Sequence, residues 1–489
     1  MSFNSLEFLL FFSVFFLVYY SPIVRKSYLR QNIWLLFASY LFYGLVTWKT
    51  LPLLIGVTVV YYYLGLWLRR VMDKGDGHLA SVISVFSVCT GIGILVYFKY
   101  LNFFAESIVT FMNALGLNAS WATLNIVLPV GVSFFTFKLI SYIIEIHREH
   151  IIPTTSFIEF ATFIAFFPTI LSGPIDRPGK FLPQLRCNRA FDYTKAVDGC
   201  QQILWGLFTK MVIADHLGNF IMGVWNELDY QTASNVFFAF LLSPIYVYAD
   251  FDGYSNMAIG IGKILGFSIA ENFNHPLLAR NTAEYWRRWH ISLTGWITDY
   301  VFMPLNIVFR GIGKYGTFIA VLANLVIIGL WHGANWTYAL FGLYHALLFI
   351  PLIFTGKFGR HPKLKESKYG LPLIKDLFRM ALTYVLIAVG HVLFFSPSIQ
   401  TIPEYFSAMF KGGWNIIQSA HDVTFRPLLF SVLFVLSDWI ARKKEFALQF
   451  KPDCYSNKIK IIVVLDVIVL LIIAIYGNPT TSSFIYFQF

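Results

Sequence analysis

Two histidines stand in stretches where a histidine is costly. His332 lies in Trp331-His332-Gly333-Ala334-Asn335-Trp336, inside an apolar run that continues to Tyr344-His345. His290 closes Glu284-Tyr285-Trp286-Arg287-Arg288-Trp289-His290. An ionisable side chain at membrane depth is by default a candidate functional group. Neutral imidazole near pH 7 can take a proton from a hydroxyl. Gly333 and Ala334 permit close backbone approach and help to end a helix. Trp331 and Trp336 are expected to wall the site, with Asn335 beside it and Trp289 next to His290. Arg287 and Arg288 are of the type that binds phosphates. The same patterns serve a plainer reading: an interfacial histidine in an aromatic belt, and arginines that only anchor the chain at the membrane surface. His345 fits a satisfied interior histidine, and His216 and His391 fit interfacial positions.

Acids in apolar surroundings are few. Asp250 and Asp252 lie in Tyr248-Ala249-Asp250-Phe251-Asp252-Gly253-Tyr254-Ser255. They are functional candidates or structural partners of an arginine such as Arg280. Arg177 ends the turn-forming stretch Ser172-Gly173-Pro174-Ile175-Asp176-Arg177. No nucleotide loop, dinucleotide fingerprint, HExxH zinc motif or Gly-x-Ser-x-Gly turn occurs, so ATPase, zinc-protease and serine-hydrolase readings lack support. No metal site is expected, and the four cysteines have neither metal nor disulfide spacing.

The elements that must hold these residues are membrane helices. The chain is 57% hydrophobic and only 13% charged, against about 25% charged for soluble proteins. Candidate spans are 4–23, 32–48, 51–68, 80–101, 124–146, 200–222, 235–261, 316–332, 336–355, 372–396, 427–441 and 460–477. The first is read as a retained span, since it has no basic leader and no cleavage site. The net charge of +11 mostly reflects the loops that set orientation. Arg25, Lys26 and Arg30, then Arg69, Arg70 and Lys74, place 24–31 and 69–79 in the cytosol. Both termini are then extracytoplasmic, including the aromatic tail 477–489. Segments 155–172 and 291–309 are apolar, yet both flanks of each look cytosolic. They are read as re-entrant or in-plane segments, which implies a polar recess open to the cytosol. The expected fold is all-α and polytopic, in one integral-membrane domain over residues 1–489, with about 11–12 transmembrane helices plus re-entrant segments.

Several motifs, taken together and in order, resemble the membrane-bound O-acyltransferases. They are YADFDGYSNMAIGIG (248–262), EYWRRWHISLTGWITDYVFMPL (284–305) and WHGANWTYALFGLYHA (331–346), with further matches at 1–12, 97–104, 128–148 and 171–178. The likeness covers most of the chain. It is greatest to the AlgI-like branch, which serves alginate and cell-wall polysaccharide O-acetylation. The resemblance implies helices around a central tunnel, an essential histidine at His332 and a second polar position at His290. His290 would position the donor or help to stabilise the developing oxyanion. Arg287, Arg288, Trp289, Trp331, Asn335, Asp252 and Arg177 become candidates for binding donor or substrate. It further implies no bound cofactor, with acetyl-CoA or another cytosolic acyl thioester as donor substrate. The acceptor would be an extracytoplasmic polysaccharide, reached directly or through a periplasmic or surface SGNH-type transferase. The setting would be the bacterial cytoplasmic (inner) membrane. The tail Ser483-Phe484-Ile485-Tyr486-Phe487-Gln488-Phe489 resembles aromatic termini of that branch, making Tyr486 a candidate acyl acceptor. A plain interfacial anchor fits the same tail. Rivals are a DltB-like transfer of D-alanine to teichoic acid and a non-catalytic transporter or channel. Nothing points to nucleic acid.

Overall fold

Apolar runs become helices here where a small polar residue caps their first turn. Ser27 caps Tyr28–Thr47 by accepting from the Leu29 N–H, and Asp76 caps Gly77–Leu95 through the Leu79 N–H. Asn281 and Asn335 do the same for Thr282–Arg288 and Trp336–Leu347, the two helices nearest the candidate histidines. The computed structural model describes residues 1–360, 370–411, 413–415, 425–449, 457–477 and 484. Regular structure among the described residues is helical. Six segments among them are long and apolar enough to cross a membrane: Tyr28–Asp73, Gly77–Ala114, Ala233–Ile264, Lys314–His332, Trp336–Phe354 and Ile374–Phe395. The chain is an all-α, multi-pass membrane protein.

The chain divides into two compact units. The first comprises Met1–Gly199 and Ala258–Ala270, and the second Cys200–Met257 and Glu271–Phe489. In the first unit Arg189 is a buried hub. Its guanidinium donates to the Tyr19 hydroxyl and to Asn32 Oδ1, each at 2.6 Å, and stacks 4.8 Å from the Phe267 ring. Segment 155–172 contains the helix Phe157–Ala165, nine residues long, followed by buried turns. Nine residues rise about 14 Å, far less than a bilayer core. The backbone freed beyond this helix needs partners. Lys138 supplies one: its ammonium donates to the Phe163 carbonyl at 3.2 Å and to Thr169 Oγ1 at 2.9 Å. Arg177 caps the short turn Pro178–Phe181 in this unit.

The second unit is held by two devices the sequence reading did not name. Lys210 donates to Asp250 at 2.6 Å and lies 2.8 Å from Asp215, with all three side chains essentially sealed from solvent. One of the two readings of Asp250, a pairing with an arginine such as Arg280, is not the one the structure makes. Arg280 instead bonds Glu284 at 3.0 Å and lies 3.8 Å from Asp376. The second device is backbone contact between helices Lys314–His332 and Trp336–Leu347. A Cβ built on Gly329 would fall 2.1 Å from the Tyr338 carbonyl oxygen. One on Gly342 would fall 2.4 Å from that of Leu325. Small residues at such crossings let backbones touch where no hydrophobic drive from water exists. Gly342→Ala is expected to cost about 1–3 kcal/mol of stability. It should also lower activity, because His332 ends the displaced helix. Thermal unfolding in detergent and donor turnover check this; an unaltered melting temperature would show that the helices have room to part.

Candidate active site

The turn between helices Thr282–Arg288 and Ile291–Ile297 places His290. Its backbone adopts φ 43°, ψ 52°, a left-handed conformation that few side chains other than glycine, asparagine and aspartate enter readily. Hydrogen bonds on both sides keep it there. The Trp289 N–H donates to the Tyr285 carbonyl at 2.9 Å, and the Ile291 N–H to the Asn272 carbonyl at 2.8 Å. Asn272 is itself clamped: Ser292 donates to its Oδ1 at 2.6 Å, and its amide donates to Ser255 at 3.0 Å. Strain retained at such expense of surrounding bonds is a mark of function.

His332 is the last residue of Lys314–His332, where the chain breaks before Gly333. The two histidines meet around one indole. The Trp331 ring lies 5.4 Å from His290 and 5.0 Å from His332, centroid to centroid. Phe251 meets His290 edge-on at 4.6 Å. Phe394 and Phe341 stand 5.1 Å and 6.2 Å from His332. All three residues of the centre are buried. The sequence suggested a cytosolic His290 and a deeper or more outward His332, two stations on one path. Folding gathers them around Trp331, because the turn at His290 directs its ring inward. Trp336 does not wall this centre: it is half exposed at the start of the next helix.

The remaining candidates separate into groups. Arg288 is engaged in structure, donating to Glu284 at 2.8 Å and to the Asn274 and His275 carbonyls. Burial drives the Glu284 carboxyl pKa up, but the bonds from Arg280 and the charges of Arg280 and Arg288 outweigh it and hold it below its ordinary value. Asn335 caps its helix and donates to the Pro397 carbonyl at 2.9 Å. Trp289 stacks on Tyr285 at 5.4 Å and packs against Phe273 at 5.0 Å. Asp252, one residue after Phe251 in the helix Ala233–Ile264, belongs to a different cluster. It shares a cavity of about 20 Å³ with His275 and Asp438, room for about one water. His275 Nδ1 bonds Asp438 at 2.5 Å and the Tyr248 hydroxyl donates to the same oxygen at 3.0 Å. Burial disfavours the His275 cation, yet the Asp438 carboxylate and the Lys444 carbonyl outweigh it and raise its pKa. His345 accepts from the Trp286 indole at 3.4 Å, as a satisfied interior histidine should. His216 bonds the Tyr476 carbonyl at 2.8 Å.

Arg287 differs from its neighbour. It faces a chamber of about 410 Å³. Apolar side chains make most of that wall, with Thr294, Thr298 and Asn324 the uncharged polar residues in it. The lining reaches Ile291, next to His290, and Ile328, one helical turn before His332. The centre therefore has a binding space of ligand size beside it. Tyr486 lies outside the described residues. Phe484, two positions earlier, is buried, 4.9 Å from the Tyr254 ring and 4.3 Å from the Lys210 ammonium. Among the described residues no group of three or more metal-ligating side chains occurs.

The sequence pattern of the membrane-bound O-acyltransferase family matches residues 107–395, which carry both histidines and the chamber. This chain belongs to the membrane-bound O-acyltransferase family. As a member of the family, it is an O-acyltransferase. It is 35% identical over 420 residues to a probable alginate O-acetylase AlgI of Pseudomonas syringae pv. tomato, covering 85% of this chain and 76% of that protein. It is 31% identical to a peptidoglycan O-acetyltransferase of Helicobacter pylori, over 66% of this chain and 64% of that one. A teichoic acid D-alanyltransferase of Bacillus subtilis is also 31% identical, over 50% of this chain and 63% of its own length. Sequence reasoning missed Asn272, Asn324 and Phe251 in this acyltransferase. Only Asn324 carried a signal, as a lone polar residue within an apolar run.

Proposed function

We propose that this acyltransferase takes acetyl groups from a cytosolic thioester, acetyl-CoA being the expected donor, and passes them outward for O-acetylation of an extracytoplasmic polysaccharide. The observation that carries the reading is the His290–Trp331–His332 centre with a ligand-sized chamber next to it. In this mechanism the hydroxyl of the acceptor gives its proton to neutral His332 as its oxygen attacks the thioester carbonyl. His290 steadies the charge that develops on that carbonyl oxygen. The C–S bond then breaks, and the leaving thiolate recovers the proton from His332. Arg287, at the chamber wall, meets the donor's phosphates.

Acetyl is preferred over D-alanyl because the alginate and peptidoglycan acetylating relatives align over more of this chain than the teichoic acid relative. We place the enzyme in the bacterial cytoplasmic membrane with both termini outside, on the charge pattern of its loops. Tyr486 is the proposed outward carrier, relaying acetyl as a phenolic ester to an SGNH-type transferase. Phe484 supports this: it packs on Tyr254, one helical turn from Phe251, which contacts His290. The test is incubation of the purified protein with acetyl-CoA or a D-alanyl carrier thioester, followed by peptide mass spectrometry of the C-terminus. Release of free thiol from acetyl-CoA and an added acetyl mass on Tyr486 are expected. Undiminished polysaccharide acetylation in Tyr486→Phe would remove the carrier, and turnover confined to the D-alanyl thioester would move the enzyme to the other branch.

A further inference from the structure

The wall of the chamber beside the catalytic histidines holds a buried polar atom without a hydrogen-bond partner among the described residues. Thr294 returns its hydroxyl to its own helical turn, 3.2 Å from the His290 carbonyl. Asn324 is different. Its Oδ1 is buried and accepts no hydrogen bond among the described residues. An amide presents both an acceptor and donors, so its natural complement is another amide. A buried polar atom left without a partner calls for one, and in the wall of a ligand-sized chamber a bound molecule can supply it.

Position along the helix narrows what that ligand group is. Val321, Leu325 and Ile328 line the chamber from the helix Lys314–His332. Steps of four, three and four residues carry that face to His332 itself. Asn324 precedes His332 by eight residues, an axial distance of about 12 Å. A pantetheine thioester must place its carbonyl carbon beside the base. Its inner amide nitrogen lies four bonds from that carbon, only about 5 Å away by ordinary chain geometry. Its outer amide nitrogen lies eight bonds away, about 10 Å in an extended arm. With side-chain reach, only the outer amide matches the level of Asn324.

We propose that Asn324 is a specificity-determining residue that accepts a hydrogen bond from the outer amide of a pantetheine-type thioester arm lying in the Arg287–Asn324 chamber. This rests on the thioester-donor reading given above. Asn324 sets which donors are held long enough to react, while His332 performs the chemistry.

The experiment compares S-acetylpantetheine, which has both amides, with S-acetyl-N-acetylcysteamine, which keeps only the inner one. Purified full-length wild type and Asn324→Leu are assayed for thiol release with each. The wild-type preference for S-acetylpantetheine, as a ratio of kcat/KM values, is expected to fall about tenfold in Asn324→Leu, the factor of one ordinary hydrogen bond. Most of the change should lie in KM. A preserved ratio overturns the proposal, whether the variant is fully active or uniformly impaired, because a purely structural role affects both donors alike. Should Asn324→Leu not fold, Asn324→Ser, which shortens the acceptor's reach, is put to the same ratio. If wild type releases thiol from neither donor nor from acetyl-CoA, the thioester reading itself fails and this inference with it. That result is distinct from turnover with an unchanged preference.

Discussion

His332→Ala is expected to abolish acyl transfer while leaving the protein inserted and folded. A positioned general base contributes roughly 10²–10⁴ in rate, and no neighbour can replace this one. Among the rings described around it, Trp331, Phe341 and Phe394 carry no basic nitrogen, and the His290 ring packs on the Trp331 indole. The loss should fall on kcat for thiol release, because His332 acts on the reacting hydroxyl and leaving thiolate rather than on the donor's distant end. Purified protein assayed with acetyl-CoA, beside a melting curve in the same detergent, separates chemistry from folding. Turnover undiminished in a folded His332→Ala protein would sink the mechanism.

Lys210→Met is expected to be the most destabilising single change outside the active centre. Lys210 serves two carboxylates, Asp250 at 2.6 Å and Asp215 at 2.8 Å, with its side chain 1% exposed. Removing the cation leaves two acids facing each other without their counter-charge. Breaking a buried pair costs about 3–5 kcal/mol, chiefly the uncompensated charge that remains. Phe484 should also loosen, since its ring lies 4.3 Å from the ammonium. The test is thermal unfolding of Lys210→Met against the triple variant Lys210→Met, Asp215→Asn, Asp250→Asn. The triple variant should be the more stable of the two, because it removes the charges together. A single variant that melts with wild type would show the triad to be energetically idle.

Several features are legible in the sequence. His332 and His290 were found because a histidine in an apolar run needs a reason, and the structure brings both to Trp331. Arg287 and Arg288 could not be told apart by sequence. Their roles diverge only once Glu284 takes Arg288 while Arg287 turns to the chamber. Asp252 carries the same sequence signal as the histidines, an ionisable group in an apolar stretch, yet it joins His275 and Asp438 in a separate small cavity. An arginine such as Arg280 is one reading open for Asp250 from the sequence, and the partner in the fold is Lys210, 40 residues earlier in the chain. Buried ion pairs follow packing, which no local spacing encodes. Gly329 and Gly342 read as ordinary apolar-helix glycines until the two helices are laid together.

What the sequence determined by itself was the class of solvent and the type of chemistry. Long apolar runs with few charges permit only backbone that satisfies its own hydrogen bonds, hence helices. Imidazole in such a setting is a candidate for handling protons, as at His332, or a satisfied interior group, as at His345. What only the tertiary structure decided was which groups act together. His290 reaches Trp331 because its backbone is bent into a left-handed turn held by Asn272, and Asn324 faces a chamber because helices distant in sequence enclose one. Both depend on contacts between segments far apart in the chain. Helical periodicity fixes the face on which a side chain lies, while the packing of helices against one another selects what that face meets.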